Sequence, residues 1–196
     1  MQENRAKSST GSNKALLDKK SIGSSNMKIL SDSSRETKLT GSQRQLSKFY
    51  LVLDLDETLI YSKLQSFDST CLRVKVQQSN KTSVYHIVPR PGLVPFIRKM
   101  NSYFTLILYT NSYGSYAEAI LNELKIRNYF EKIFDRDNCK VDSRKGLVKD
   151  IGNLQIPLDK IIFIDDSATN CQRYPANSLQ IKPFYGDAGD NSLSEL

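Results

Sequence analysis

The sequence predicts an α/β fold built on a central parallel sheet. Three observations carry this expectation. Short apolar runs at about 49–55, 103–109 and 160–164 each suit a strand buried on both faces. Amphipathic helical stretches separate them, in the order strand, helix, strand, helix, strand. Each run then ends in polar residues: Asp54 and Asp56, Thr110 and Asn111, Asp165 and Asp166. Open parallel sheets bind ligands beyond the carboxyl ends of their strands, so three such endings in one domain mark a site.

Composition locates the domain. The chain has 196 residues, enough for one domain with a real core, yet hydrophobic residues make up only 39%. Residues 1–48 hold 10 Lys/Arg against 4 Asp/Glu, a net of +6, and residues 49–196 hold 18 against 17, a net of +1, which together give the formal +7. The basic character belongs to a Ser-, Lys-, Asn- and Gly-rich stretch over 1–47. That stretch has too little apolar surface to offset its ordering entropy and is expected to be disordered. The folded domain is expected over 48–196. Its near-neutral charge argues against direct nucleic-acid binding.

Three cysteines (Cys71, Cys139, Cys171), with no Cys-x-x-Cys, argue against a disulfide framework or a structural zinc site and for a reducing compartment. His86 is the only histidine, which excludes His-based triads. The N-terminal residues lack the apolar stretch of a signal peptide, and the longest apolar runs fall far short of the ~20 residues of a membrane span. No membrane insertion is expected, and a monomer is.

The elements follow in order. After the first strand, 71–76 and 83–88 alternate with period two around a polar link, as a half-exposed antiparallel hairpin flap does. Arg90-Pro91-Gly92 breaks the flap. Leu93, Phe96, Ile97 and Met100 then recur at helical spacing. The 103–109 strand leads into a helix over about 113–125 with Tyr116, Ala119, Ile120 and Leu124 on one face. Past a polar loop come Gly146 to Asp150, the 160–164 strand and a last candidate strand at 178–182.

Asp54 and Asp56 are two apart, so both side chains leave the strand end on one side. With Asp165 and Asp166 nearby, up to four carboxylates share a small volume. Their repulsion is relieved by a hard cation that takes oxygen ligands, and Mg²⁺ is the usual occupant. Thr110 and the amides at the start of the following helix offer donors to a phosphate, and Lys149 offers positive charge. This inventory fits phosphoryl transfer by a covalent route. Asp54 attacks phosphorus, a metal offsets the charge repulsion, and Asp56 protonates the leaving oxygen and later activates water. A cysteine-based phosphatase is excluded, because four residues rather than five separate Cys139 from Arg144. A P-loop enzyme is excluded too, because Gly-x-x-x-x-Gly-Lys-Ser/Thr does not occur.

Asp54-Leu55-Asp56-Glu57-Thr58-Leu59-Ile60 resembles the signature of haloacid-dehalogenase-type phosphatases. Within them the chain is most similar to the small C-terminal-domain phosphatases that act on the repeated tail of RNA polymerase II. The resemblance runs from about residue 50 to 185 and includes Arg90-Pro91-Gly92, Tyr109-Thr110-Asn111-Ser112, Val148-Lys149-Asp150 and Asp165-Asp166-Ser167. It implies a Rossmann-like sheet with helices on both faces, a β-hairpin flap and no large cap. It also implies a protein serine/threonine phosphatase using Mg²⁺ and an aspartyl-phosphate, in the nucleus or else the cytoplasm, on phosphoserine in polymerase-tail-like peptides. Alternatives are an inactive relative that binds peptides and a phosphatase for a lipid-enzyme regulator. Asp54 would be the nucleophile and Asp56 the acid/base, with Thr110, Asn111 and Lys149 at the phosphate. Asp54, the Asp56 carbonyl, Asp165 and Asp166 would hold the metal. Arg136, Leu64, Tyr113 and Tyr116 would contact the substrate, the last three as a slot for a proline. Asp166 stands where these phosphatases usually carry Asn, and Asn111 where they carry a small residue. Residues 193–196 reach only the start of the family's last helix, so weaker C-terminal packing is expected.

Overall fold

In a computed structural model of the chain, the described residues are 49–65 and 71–196. The expected disorder over 1–47 lies outside them. At the centre is strand β1 (Tyr50–Leu53), whose Leu51, Val52 and Leu53 are at most 2% exposed. Burial of each such side chain contributes about 1.5–3 kcal/mol, which is why an all-apolar run takes the middle of the sheet. On one side β1 pairs in parallel with β5 (Thr105–Tyr109). On the other it pairs in parallel with β9 (Ile161–Asp165). The edges are β6 (Phe130–Phe134), beside β5, and β10 (Ser178–Gln180), beside β9, so the order is β10-β9-β1-β5-β6 and every pairing is parallel.

The flap is larger than a hairpin. Strands β3 (Leu72–Gln78) and β4 (Lys81–Pro89) form the expected hairpin, and β2 (Ile60–Lys63) adds a third, antiparallel strand to β4. β2 starts four residues after Asp56 and was hidden by its length. Four residues with a single buried apolar side chain show no readable alternation.

Helices α1 (Leu93–Asn101) and α2 (Gly114–Glu123), together with the inner face of the flap, cover one face of the sheet. Their apolar side chains pack with Leu51, Leu53, Leu106, Leu108 and Ile164. The expectation of helices on both faces is met differently on the second face. There Val52, Ile107, Tyr109 and Phe163 are covered by a 3-10 turn at Ile151–Asn153 with Leu154. The residues between β6 and β9 form short 3-10 turns and a small hairpin, β7 (Lys140–Asp142) with β8 (Gly146–Val148), instead of a full helix. The second strand also starts later than the apolar run implied. Tyr103 is 64% exposed and lies in the turn after α1.

Gly92 caps α1 at φ 77, a left-handed conformation that costs a side-chain-bearing residue roughly 1–2 kcal/mol. Two residues earlier, Arg90 is fully buried. It donates to the Thr58 carbonyl (3.0 Å), to the Lys182 carbonyl (2.8 Å) and, as a fork, to both Asp190 oxygens (2.7 and 2.8 Å). The C-terminal segment is therefore anchored more firmly than expected. Asp190 sits in this pair, the Phe184 amide donates to the Glu57 carbonyl (2.7 Å), and Leu193 is 3% exposed.

Candidate active site

Asp54 is the first residue past β1, and its amide donates to the Ile164 carbonyl (3.0 Å). Leu53 pairs with Leu108 on one side and Ile164 on the other, so Asp54 emerges level with Asp165, the last residue of β9. Both carboxylates are buried. Between them lies the Lys149 ammonium, 2% exposed, paired with Asp54 and, at 2.7 Å, with Asp165. Lys149 follows β8, and its own amide donates to Asn170 Oδ1 (3.1 Å). Asn170 belongs to the short helix α3 (Ala168–Cys171). Its side-chain amide also donates to the Asp165 carboxylate, at 3.1 and 3.3 Å. One buried Asn thus orients both a carboxylate and the lysine backbone.

Glu57 adopts φ 58, and the turn it makes carries the chain from Asp56 back toward β2. That turn places the Thr58 hydroxyl 3.1 Å from both Asp54 and Asp166, and the hydroxyl accepts the Asp166 amide at 3.1 Å. A hydroxyl has one hydrogen, so it serves one carboxylate at a time. Thr110, buried at the end of β5, accepts the Ser112 amide on its hydroxyl (3.0 Å). Asn111 reaches the Leu147 carbonyl (3.3 Å) and accepts from Cys139 Sγ (3.2 Å), which ties the β7–β8 hairpin to the site.

Asp56 has different neighbours. Ser112 donates to one oxygen (2.7 Å) and Tyr116 to the other (2.5 Å). The Ser62 hydroxyl lies 2.5 Å from that of Tyr116. Among the described residues no cationic side chain forms an ion pair with Asp56.

The electrostatics favour a further cation. Burial pushes Asp54 well above the usual carboxylate range, Asp165 pushes the same way, and Lys149 opposes both. Burial, then Asp165, also raises Asp166. Burial, with Asp56 and Asp166 beyond it, lifts Glu57 to about 7. Burial alone would lower the Lys149 ammonium, but Asp54 and Asp165 hold it above its ordinary value. Asp54, Asp165 and Asp166 each present an oxygen within 4.8 Å of the others. Three carboxylates against one ammonium leave two negative charges uncompensated, and an all-oxygen donor set suits a hard divalent ion. The residues present therefore fit Mg²⁺, with Asp54, Asp165 and Asp166 as the groups that would hold it.

The site opens into a cleft of about 560 Å³ whose walls include Asp54, Asp56, Thr110, Asn111, Lys149, Asp165 and Asp166. The other predicted contacts are distributed unevenly. Arg136 lines the cleft with its guanidinium 4.7 Å over the ring of Tyr113, which is 51% exposed. Tyr116 also lines the cleft, but it is 4% exposed and its hydroxyl is spent on Asp56. Leu64 is 61% exposed and is not part of the cleft wall. Sequence reasoning missed Ser62, Ser112 and Asn170. Isolated hydroxyl and amide residues beside turns give no signal, although Asn170 lies five residues past Asp165, in the first turn of a helix.

A parallel sheet whose central strand delivers Asp54-Leu55-Asp56 into a cleft with a buried lysine and an acidic pair defines a domain of the haloacid-dehalogenase type. Among solved structures, the fold is similar to that of a fission yeast RNA polymerase II CTD phosphatase, Fcp1, bound to beryllium fluoride. The TM-score is 0.60 at 20% identity, over 76% of this chain and 45% of that one. A second Fcp1 structure matches with a TM-score of 0.59 at 22% identity, over 79% and 47%. The chain belongs to the NLI interacting factor-like phosphatase family, whose model matches residues 49–196. Its relatives include the phosphatase Herzog of Drosophila melanogaster, 30% identical over 146 residues, or 74% of this chain and 41% of that protein. The human CTD small phosphatase-like protein is 28% identical over 146 residues, 74% of this chain and 52% of that protein. The chain thus spans about half the length of the curated relatives it matches.

Proposed function

We propose that the chain is a Mg²⁺-dependent phosphoprotein phosphatase that works through an aspartyl-phosphate on Asp54. The observation that carries this reading is the contrast between the two signature aspartates. Asp54 is buried against Lys149, a fixed cation that favours an anionic nucleophile. Asp56 is surrounded by hydroxyls, which donate to a carboxylate and accept from a carboxylic acid, so it can lose and regain a proton.

In the first step an Asp54 oxygen attacks phosphorus. The ester P–O bond breaks, and Asp56 gives its proton to the departing serine or threonine oxygen. In the second step Asp56, now a carboxylate, takes a proton from the water that attacks the aspartyl-phosphate, and phosphate leaves. Lys149 offsets the charge on the phosphoryl oxygens, while the Thr110 hydroxyl and the amides near the start of α2 donate to them. Mg²⁺ held by Asp54, Asp165 and Asp166 would supply charge neutralisation that lets an anionic nucleophile approach an anionic ester.

The cleft is open, with a three-stranded flap beside it, which suits phosphoserine presented on a protein. Relatives named for the RNA polymerase II carboxy-terminal domain support a polymerase-tail-like substrate and action in the nucleus. The reading is tested by turnover of p-nitrophenyl phosphate with Mg²⁺, with chelator, and by Asp54→Asn. Mg²⁺-dependent release that Asp54→Asn abolishes is expected, and equal turnover in all three would overturn it. A panel of polymerase-tail phosphopeptides against unrelated phosphopeptides then tests the substrate.

A further inference from the structure

We infer that Tyr116, together with Ser112, is a positioning residue for the proton transfers of Asp56, and not a wall for the substrate. The inference rests on the assignment of Asp56 as acid/base. Ser112 and Tyr116 are four residues apart. Ser112 lies just before the N-cap residue Tyr113, and Tyr116 lies in the first turn of α2. They hold opposite oxygens of one carboxylate, at 2.7 and 2.5 Å. A carboxyl held at both oxygens cannot rotate about its Cβ–Cγ bond, so its proton is delivered in one direction. The Tyr116 ring is itself fixed. It is 4% exposed, packs edge-on against Tyr85 of the flap at 4.7 Å, and its hydroxyl meets Ser62 of β2 at 2.5 Å. Flap strands β2 and β4 therefore brace the group that orients Asp56.

The hydroxyl chemistry is what the two half-reactions need. When Asp56 is a carboxylate, the Ser112 and Tyr116 hydroxyls donate to it. When it is a carboxylic acid, its proton faces the leaving oxygen and the neutral hydroxyls beside it keep its oxygens in place. A lysine or arginine in their place would favour the Asp56 anion. The step affected is proton transfer to the leaving oxygen as the ester bond breaks and the Asp54–phosphorus bond forms. Help from an acid matters most when the leaving alcohol is weakly acidic.

Tyr116→Phe removes only the hydroxyl and keeps the ring. Its kcat/KM, which reports the first phosphoryl transfer, is measured on two small substrates, phenyl phosphate and p-nitrophenyl phosphate. The expected loss is at least tenfold on phenyl phosphate and at least five times the loss on p-nitrophenyl phosphate, with an unchanged melting temperature. Ser112→Ala, acting on the opposite oxygen, is expected to show the same ordering and serves if the first variant folds poorly. Equal losses on the two substrates, or none on either, would overturn the inference, and no loss is what a proline-slot wall predicts. Asp56→Asn serves as the control. If it turns over both substrates like the wild type, the acid/base assignment fails, and the positioning role fails with it. If it is impaired while Tyr116→Phe and Ser112→Ala are not, the positioning role alone fails.

Discussion

Replacing Asp190 by Asn should destabilise the fold by about 2 kcal/mol at pH 7, and the effect should fade in acid. Asp190 receives two hydrogen bonds from the Arg90 fork, and the side chains of the pair are 0% and 6% exposed. Those bonds hold the Asp190 carboxyl down at about 2, against an ordinary 3.8. At about 1.4 kcal/mol per tenfold change in proton affinity, the difference corresponds to about 2 kcal/mol of folding free energy. Folding lowers this pKa, so the contribution is complete above the unfolded value and is lost as pH falls through the folded one. Roughly half should remain at pH 3. Urea unfolding of wild type and Asp190→Asn at pH 7, 5, 4 and 3 measures this directly. A difference below about 0.5 kcal/mol at pH 7, or one that stays constant down to pH 3, would refute the linkage argument. Arg90→Met should cost more, about 3–5 kcal/mol, because it leaves Asp190 buried without its partner.

Three further outcomes are expected. Lys149→Met should lower turnover by roughly a hundredfold or more, since it removes the buried ammonium that pairs with Asp54 and Asp165, measured as kcat on an aryl phosphate. Millimolar Mg²⁺ should raise the wild-type melting temperature by relieving repulsion among Asp54, Asp165 and Asp166. Thermal unfolding of Asp165→Asn should show little of that shift. Gly92→Ala should destabilise the domain by about 1–2 kcal/mol through its positive φ, read from urea unfolding, and leave KM for an aryl phosphate within twofold.

Much of the site was legible because it is built from strand endings. Asp54, Thr110 and Asp165 each follow an apolar run, and a parallel sheet brings such ends to one edge whatever the loops between them do. Lys149 has no comparable signal. It follows the three-residue strand β8, and residue spacing alone does not say that a lysine there reaches Asp54 from 95 positions away. Strands β2 and β6 were missed for local reasons. One is four residues long, and the other interrupts its apolar pattern with Glu131 and Lys132 on a sheet edge.

The sequence by itself determined the fold class and the chain order of the three central strands with their helices. Of the four carboxylates it gathered, the structure brings the oxygens of Asp54, Asp165 and Asp166 within 4.8 Å of one another, and Asp56 faces hydroxyls instead. Burial of apolar runs and the period of the helices are local properties of the chain. Only the tertiary structure decided what each aspartate touches. Asp54 meets a lysine carried in by a distant hairpin, while Asp56 meets hydroxyls from the residue before the α2 cap and from α2 itself, with the Ser62 hydroxyl of β2 at 3.5 Å. Tyr116 shows why. Its helical spacing fits a core side chain or a substrate wall equally well. Its hydroxyl finds Asp56 only once the sheet, α2 and the flap have closed around it, because hydrogen bonds between distant segments are set by packing and leave no periodic trace in the sequence.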